Sequence, residues 1–321
     1  MDASLISVVI PCRNAERWLG ETLASVFVQD VALDVIVVDD GSTDGSVAVA
    51  ETAPGPVRII RQDARGASEA RNAGTAAAVG RYLQYLDADD VLEPGTLQAR
   101  LAALDASGAD VALAAWARWE RQPSGEFRIG DVVHRRLSER PDVDLIAGAW
   151  WPPGAILYRR SIVERIGGWR VDLPIIQDAR FLIDAALCGA EFIYVDDLGL
   201  RYRVHGSDSL SRRDPRAFLD DCYRSAAELH DRWRRDGTLD EPRRRGLVRA
   251  LGHVARGFFD VDRARFDEVL ARLDALDARY RPDGPPSLRW LSGVVGYRSA
   301  EHVAWWWRQV KRTAVGADTP R

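Results

Sequence analysis

The chain has 321 residues, a formal net charge of −4 and 46% hydrophobic residues, values typical of a globular protein with a substantial core. The slightly acidic balance excludes the strongly basic field with which many proteins bind nucleic acid. Three cysteines without C-x-x-C spacing argue against a disulfide scaffold or a zinc site.

Targeting and membrane-spanning signals are not evident. The first residues lack a basic region followed by an apolar run and a cleavage site. No run of about 18 apolar residues occurs either. A cytoplasmic location is therefore expected, and peripheral contact with the inner face of a membrane stays open.

The first 80 residues alternate between apolar runs and amphipathic segments. Residues 5–10 predict a buried strand that Pro11 ends, and Asn14 is expected to cap the next helix. A second strand at 35–38 runs into Asp39-Asp40. The later elements are predicted as a helix at 46–53, a strand at 57–60 and a helix at 66–79.

The strongest local signal lies between Leu83 and Asp90. Residues 83–86 predict a buried strand, which runs directly into the D-x-D-D acids Asp87, Asp89 and Asp90. Strand carboxyl ends form the ligand-binding edge of an open α/β sheet. Because close carboxylates repel one another, a divalent cation with oxygen ligands is predicted here. A solvated acidic turn is the structural alternative.

The β-α-β-α alternation continues to a strand at 111–116. It predicts an α/β fold with a Rossmann-like, mostly parallel central sheet flanked by helices. Polar clusters then follow three strands, at 11–14, 39–40 and 87–90, and in one parallel sheet they would line the same edge.

Four motifs, in this order and strand context, resemble family-2 glycosyltransferases of the GT-A fold. They are S-V-V-I-P-C-R-N-A-E at 7–16, V-V-D-D-G-S-T-D at 37–44, G-A-S-E-A-R-N-A-G at 66–74 and L-D-A-D-D at 86–90. The resemblance continues to about residue 211, which is roughly two-thirds of the chain. It implies an inverting glycosyltransferase that uses a nucleotide-activated sugar.

The resemblance implies roles for the matched positions. The nucleotide-sugar would contact Pro11, Arg13, Asn14, Glu16, Asp39, Asp40, Arg71, Asp87 and Ala88. Asp39 would accept a hydrogen bond from the base imide, which favours a UDP- or dTDP-sugar. Many relatives have tyrosine at the position of Arg13, so a guanidinium plane would replace an aromatic stack.

The resemblance also implies a divalent metal, Mn²⁺ or Mg²⁺, bound by Asp89. His205 follows Tyr202-Arg203-Val204, in a segment similar to one that often ends the family's catalytic domain. His205 would complete the metal site or contact the diphosphate. An ordinary loop histidine is the alternative.

Gln177-Asp178 opens a predicted helix that ends near Gly189. The pair resembles the family's Glu-Asp motif, and Asp178 matches the aspartate that acts as catalytic base. Inverting transfer needs one carboxylate to take the proton of the acceptor hydroxyl, while a metal stabilises the leaving diphosphate. An acid that only supports the helix N-terminus is the alternative.

The predicted acceptor contacts are Trp150, Trp151 and Gln177. The two tryptophans precede a Pro-Pro-Gly sequence, and this aromatic stretch is expected to be exposed. Tryptophan faces suit a glycan or lipid-linked acceptor, although adjacent tryptophans occur as often in interfaces or cores.

Residues 1–211 are predicted to form the catalytic domain, with a nucleotide half at 1–115 and an acceptor half at 116–211. Residues 212–321 are predicted to form a helical region. In its last helix one face carries Val303, Trp306, Trp307 and Val310. Packing on the catalytic domain, contact with membrane headgroups and a homodimer all stay open.

Together these features predict a metal-dependent inverting glycosyltransferase. It would move a sugar from a nucleotide-diphospho-sugar to an acceptor hydroxyl, in polysaccharide, glycolipid or cell-surface glycan synthesis. A non-catalytic nucleotide-sugar-binding or scaffold protein with the same fold is the alternative. The presence of Asp87, Asp89 and Asp178 together favours the enzyme.

Overall fold

The computed structural model describes residues 5–122, 124–204 and 214–316, with side chains described as far as residue 310. The chain divides into two compact units. Unit 1 comprises Met1–Leu145 and Ala149–Arg213, and unit 2 comprises Ile146–Gly148 and Asp214–Arg321.

Strands and helices alternate along the first part of unit 1. The strands are β1 (Ile6–Cys12), β2 (Leu33–Asp40), β3 (Val57–Gln62), β4 (Tyr82–Tyr85), β5 (Val91–Leu92), β6 (Val111–Arg121), β7 (Phe127–Val133), β8 (Ile156–Arg159) and β9 (Phe192–Val204). The helices up to this point are α1 (Glu16–Phe27), α2 (Ser46–Glu51), α3 (Ala67–Ala77), α4 (Thr96–Ser107), α5 (Pro141–Ile146), α6 (Arg160–Ile166) and α7 (Gln177–Leu187).

The strands form one sheet in the order β3-β2-β1-β4-β8-β6-β9-β5, with β7 paired to β6. The first four strands of this order are parallel, as expected where helices connect successive strands. Strand β8 runs antiparallel between β4 and β6, and β6 and β9 are again parallel. The predicted α/β class is confirmed, and among the described strands four pairs are parallel and four are antiparallel.

Two local predictions at the end of β1 are wrong. Pro11 does not end the strand, because β1 continues to Cys12 and Pro11 stays in register with Val38. Asn14 is not the helix cap, since α1 follows Ala15. Asn14 instead adopts a left-handed conformation with φ of 52°, which asparagine tolerates better than most residues.

Helix α3 lies unusually close to the sheet because Gly74 has no side chain. A Cβ atom at this position would lie 2.3 Å from Cγ1 of Val9 and 3.2 Å from Cγ2 of Val38. The close approach sets α3 against β1 and β2, whose central residues are fully buried. The first turn of α3 thereby comes to the carboxyl edge of these strands.

The predicted helical region is present in unit 2. Its helices are α8 (Pro215–Arg235), α9 (Glu241–Val261), α10 (Arg263–Leu276), α11 (Pro286–Val295) and α12 (Tyr297–Gly316). Asp214, Asp240 and Asp262 accept backbone N–H groups at the starts of α8, α9 and α10, as N-caps do. Within the part of the chain that the structure describes, no helix is long and apolar enough to span a membrane.

A matched pair of glycine substitutions tests the packing of α3. Gly74→Ala should lower the free energy of unfolding by about 1–3 kcal/mol, because overpacking outweighs the better helix propensity of alanine. Gly20→Ala in α1 should raise it by up to about 1 kcal/mol, since its Cβ would meet only Val49 at 3.6 Å. Urea denaturation measures both, and two variants of equal stability would contradict the close approach.

Candidate active site

The carboxyl ends of β1, β2 and β4 lie side by side. Cys12 is in register with Asp39 across β1 and β2. On the other side of β1, the amide of Leu86 donates to the carbonyl oxygen of Val9 at 3.1 Å. The segments 12–16, 39–46 and 87–90 therefore share one edge of the sheet.

The loops after β1 and β2 are joined by hydrogen bonds. The amide of Thr43 donates to Oδ1 of Asn14 at 2.8 Å, and the amide of Gly45 donates to Oε2 of Glu16 at 3.0 Å. These oxygens of Asn14 and Glu16 thus support the loop after β2. Arg13 is exposed, and Pro11 is half-buried.

Adjacent aspartates at the end of β2 have different surroundings. Three donors hold the buried Asp40 carboxylate: Nε2 of Gln62 at 2.7 Å and the amides of Arg65 and Gly66 at 2.8 and 2.9 Å. The Asp40 carboxylate thus fixes the turn into α3, and its contact with the nucleotide stays a prediction. Asp39 accepts the amide of Ser42 at 3.2 Å and is the better candidate for a ligand contact.

Arg71 connects α3 to two other elements. Its buried guanidinium donates to Oδ1 of Asp87 and, at 2.9 Å, to Oε1 of Gln177. It also lies over the Trp169 ring, 4.6 Å from the centroid. The Gln177 oxygen accepts a second bond from Ser68 at 2.6 Å. This buried amide therefore bridges α3 and α7, and the acceptor role of Gln177 stays a prediction.

Asp178 lies in the first turn of α7, which begins at Gln177 as predicted. Ile176 is the N-cap residue, so Asp178 does not serve as the cap. Its Oδ2 accepts Nε1 of Trp150 at 2.7 Å, and its Oδ1 accepts the amide of Ala179 at 2.8 Å. Burial raises the pKa of Asp178, and these two hydrogen bonds partly offset the rise.

The two adjacent tryptophans occupy different environments. Trp150 is half-buried and forms edge-to-face contacts with Trp116 and Tyr202, at centroid distances of 5.3 and 5.7 Å. Trp151 is only 1% exposed, so the expectation of an exposed acceptor contact is wrong for it. Neighbouring side chains of an extended segment point in opposite directions, which allows one tryptophan to face the site while the other enters the core.

The acids after β4 form a tight turn, in which the amide of Asp90 donates to the carbonyl oxygen of Asp87 at 3.1 Å. Thr22 of α1 donates to the carbonyl oxygen of Ala88 at 3.0 Å. Burial raises the pKa of Asp87, as do the nearby Asp89 and Asp178 carboxylates, against the opposing effect of Arg71.

Tyr202 shows that the acids from β4 and α7 converge. Its pKa is raised by burial and by the negative charges of four carboxylates, those of Asp90, Asp87, Asp178 and Asp89. The tyrosine comes from β9, and its ring contacts that of Trp150. The site is therefore an acidic, aromatic-lined edge of the sheet.

The metal-ligand atoms available at this edge suit a hard divalent cation, because Asp87 and Asp89 supply carboxylate oxygens in a region of excess negative charge. Among the described residues, no group of three or more His, Cys, Asp or Glu could hold a metal ion. A metal bound by Asp89 would thus need further ligands, such as phosphate oxygens and water. His205 lies outside the described residues.

Arg203, at the end of β9, holds the acidic turn by hydrogen bonds, a role that the sequence did not indicate. Its side chain is 1% exposed, and its Nε donates to the carbonyl oxygen of Asp89 at 2.7 Å. Its backbone amide donates to Oδ1 of Asp90 at 2.8 Å, and a second guanidinium nitrogen donates to Glu21. The guanidinium lies 4.0–4.9 Å from the ring centroids of Trp18, Trp119 and Phe127.

The α/β sheet of unit 1, with helices on its faces, matches the sheet of GT-A glycosyltransferase structures. The model of the family described as Glycosyl transferase family 2 matches residues 7–167, about half of the chain. The chain belongs to glycosyl transferase family 2 and is thus a member of a transferase family.

Two curated relatives illustrate the family. The chain is 31% identical over 222 residues to an uncharacterised glycosyltransferase of a Nostoc species, covering 64% of this chain and 66% of the relative. It is 37% identical over 111 residues to the succinoglycan biosynthesis protein ExoO of Rhizobium meliloti, covering 34% of this chain and 32% of ExoO. The matched segments thus span between about one third and two thirds of these relatives.

Two solved structures share the fold. TarS from S. aureus, in complex with UDP-GlcNAc, aligns with a TM-score of 0.60 at 19% identity, covering 95% of this chain and 91% of the TarS chain. The mannosyltransferase PcManGT from Pyrobaculum calidifontis, in complex with GDP-Man and Mn²⁺, aligns with a TM-score of 0.54 at 20% identity, covering 94% of this chain and 87% of its own. At these identities the likeness establishes the fold.

Replacing Arg203 tests its contribution to the acidic turn. Arg203→Lys should lower the free energy of unfolding by about 2–3 kcal/mol, because a lysine cannot keep both charged hydrogen bonds and the stacking on the rings. Glu21→Gln is the control and should cost at most about 1 kcal/mol, since Glu21 is exposed. Chemical denaturation compares the two, and an Arg203→Lys variant as stable as the parent would contradict this role.

Proposed function

We propose that the protein transfers a sugar from a nucleotide-diphospho-sugar to an acceptor hydroxyl, with inversion at the anomeric carbon. The observation that carries the proposal is that Arg71 donates both to Asp87 and to Gln177, the neighbour of Asp178, which brings the acids after β4 and in α7 together. One carboxylate would serve the acceptor and the others the donor. The family match and the fold support the same chemistry.

Asp178 is the proposed general base. Its carboxylate is half-buried, and its described donors are Trp150 and a helix amide rather than a guanidinium. Because no ion pair with it occurs among the described residues, the carboxylate can accept the proton of an acceptor hydroxyl as the new bond forms. Burial raises its pKa, which makes it a stronger base than a fully solvated aspartate.

For the donor we propose contacts to the nucleotide from Asp39, Arg13 and Asp87. Asp39 would accept the imide N–H of uracil or thymine, which favours UDP- or dTDP-sugars, and Arg13 would stack on the base. The complex of TarS with UDP-GlcNAc supports a uridine nucleotide. The complex of PcManGT with GDP-Man makes guanine the competing base.

We propose that Asp89, with Asp87 beside it, holds a divalent metal, Mn²⁺ or Mg²⁺. When bound, the metal would supply Lewis-acid stabilisation of the leaving diphosphate. Mn²⁺ in the complex of PcManGT supports this proposal. The task of the chain is to hold the Asp89 carboxylate in place, through the contact of Arg203 with the Asp89 carbonyl oxygen.

The proposed process is the synthesis of a polysaccharide, glycolipid or cell-surface glycan. The name of the succinoglycan biosynthesis protein supports it. Trp150, which contacts Asp178, is the proposed acceptor-side aromatic residue for a glycan or lipid-linked acceptor. A non-catalytic nucleotide-sugar-binding protein is the competing function, and loss of transfer in a base variant separates the two.

Asp178→Asn tests the base directly. Asparagine keeps the size and polarity of the side chain but cannot accept the proton, so transfer should slow by about 10²–10⁴-fold. Melting temperature and nucleotide binding should stay near those of the parent. Asp172→Asn is the control, because Asp172 is exposed and paired with Arg170. Parental rates for Asp178→Asn with the cognate acceptor would remove Asp178 from the mechanism.

Trp150→Phe tests how the base is tuned. Losing the indole N–H should raise the pKa of Asp178 further, so the acidic limb of the pH–rate profile should move to higher pH by about one pH unit. Trp116→Phe is the matched control, since Nε1 of Trp116 has no hydrogen-bond partner among the described residues. Identical acidic limbs in the two variants would show that the Trp150 bond does not tune the base.

Titration calorimetry tests the donor and metal sites together. The parent should bind UDP more tightly than ADP, and Mn²⁺ should strengthen the binding of UDP. Asp89→Asn should weaken the Mn²⁺-dependent binding by at least about tenfold, because a lost ligand costs no less than a lost outer-shell partner. Asp30→Asn, an exposed site in the turn after α1, should not. Equal affinity for UDP and ADP would contradict the role of Asp39.

A further inference from the structure

Unit 2 exposes large apolar side chains in its last two helices. Of the thirteen such side chains among the described residues, seven lie between residues 290 and 310. They include all the exposed tryptophans in this set: Trp290, Trp306 and Trp307, at 70%, 61% and 56% exposure. In the rest of the described chain, the exposed large apolar side chains are valines and one isoleucine.

Helix α12 has two different faces. Its inner face packs into unit 2, with Tyr297, Ala300 and Glu301 buried and with Trp305 beside the guanidinium of Arg263 at 5.2 Å. Its outer face carries Val303, Trp306, Trp307 and Val310, all exposed. A helix on the surface of a globular protein usually presents polar residues to water, so this outer face is arranged for a less polar environment.

The exposed side chains of α11 follow the same pattern. Trp290 and Val294 are one helical turn apart, and both are more than 60% exposed. Leu288 and Ser292, on the opposite face of α11, are buried. We call Trp290, Val294 and the four exposed residues of the outer α12 face the outer apolar surface.

Charge in this part of the chain is strongly one-sided. Residues 286–316 contain five basic residues, Arg289, Arg298, Arg308, Lys311 and Arg312, and one acid, Glu301, in a chain of net charge −4. That acid is fully buried and accepts Arg308 at 3.0 Å. Asp267 and Asp260 pair with Arg298 and Arg308 at 2.6 and 3.2 Å, so the remaining excess of positive charge comes from Arg289, Lys311 and Arg312. This excess is complementary to a negatively charged partner.

We infer that the outer apolar surface docks on a membrane that contains anionic lipids. Tryptophan rings favour the headgroup zone, and each basic residue near an anionic bilayer adds to the attraction. Lipid is favoured over a second copy of the chain, since a two-fold contact would place two basic segments against each other. Such docking would bring the protein to lipid-linked acceptors, but it does not depend on the proposed transfer.

Vesicle co-sedimentation of the full chain, without nucleotide or metal, tests the inference. The protein should bind vesicles of phosphatidylcholine mixed with phosphatidylglycerol, bind phosphatidylcholine alone more weakly, and dissociate in high salt. The double variant Trp290→Ser/Trp306→Ser should bind about tenfold more weakly. Val28→Ser/Val79→Ser, at exposed sites on unit 1, should bind as the parent does.

Three results would overturn the inference. The first is a parent that does not bind anionic vesicles, and the second is a double variant that binds them as tightly as the parent does. The third is a parent that is a dimer in light scattering while the double variant is a monomer. Melting curves serve as a folding control, because both tryptophans are exposed and their loss should leave stability almost unchanged. Transfer to a water-soluble acceptor, measured separately, distinguishes failure of docking from failure of the proposed function.

Discussion

The packing of like charges at the carboxyl edge of the sheet is the constraint on which the rest of unit 1 depends. Asp87, Asp89 and Asp90 lie within one turn, and α7 brings Asp178 towards them. Carboxylates this close destabilise one another unless charge or donors compensate. Two buried arginines meet this need: Arg71 pairs with Asp87, while Arg203 donates from its guanidinium to the carbonyl oxygen of Asp89 and from its backbone amide to the Asp90 carboxylate.

The positive charge of the two arginines is not shared equally among the carboxylates. Arg71 shares its guanidinium between Asp87 and the neutral amide of Gln177, so its charge is directed to one carboxylate. A glutamate at position 177 would divide that charge between two acids. Arg203 contacts the carbonyl oxygen of Asp89, which fixes the backbone of the turn. The turn is thus held in place at an edge that carries several carboxylates, the ligand type that a hard divalent cation prefers.

Much of this arrangement follows from local sequence. Apolar runs place the ends of β1, β2 and β4 at one edge, because parallel strands joined by helices align their carboxyl ends. The start of α7 at Gln177 was also predictable. Local rules could not distinguish Asp39 from Asp40, since their roles depend on donors that arrive from Gln62, Arg65 and Gly66.

Other features depend on contacts that are distant in sequence. The left-handed Asn14 is fixed by Thr43, 29 residues away, and no local propensity predicts such a bond. Trp150 and Trp151 look alike in sequence, and only the packing of the core shows which one faces the site. Arg203 lies 114 residues from its partner Asp89, so its role in the acidic turn becomes visible only in three dimensions.

The hydrogen bond between Trp150 and Asp178 bears on the activation free energy of the proposed transfer. Trp150 precedes Trp151, Pro152 and Pro153, a segment with one buried ring and two prolines, so its backbone has few alternative conformations. The donor to Asp178 is thereby fixed when the chain folds rather than when a ligand arrives. A proton acceptor on such a scaffold is preorganised: little reorientation of dipoles is left for the moment at which charge moves.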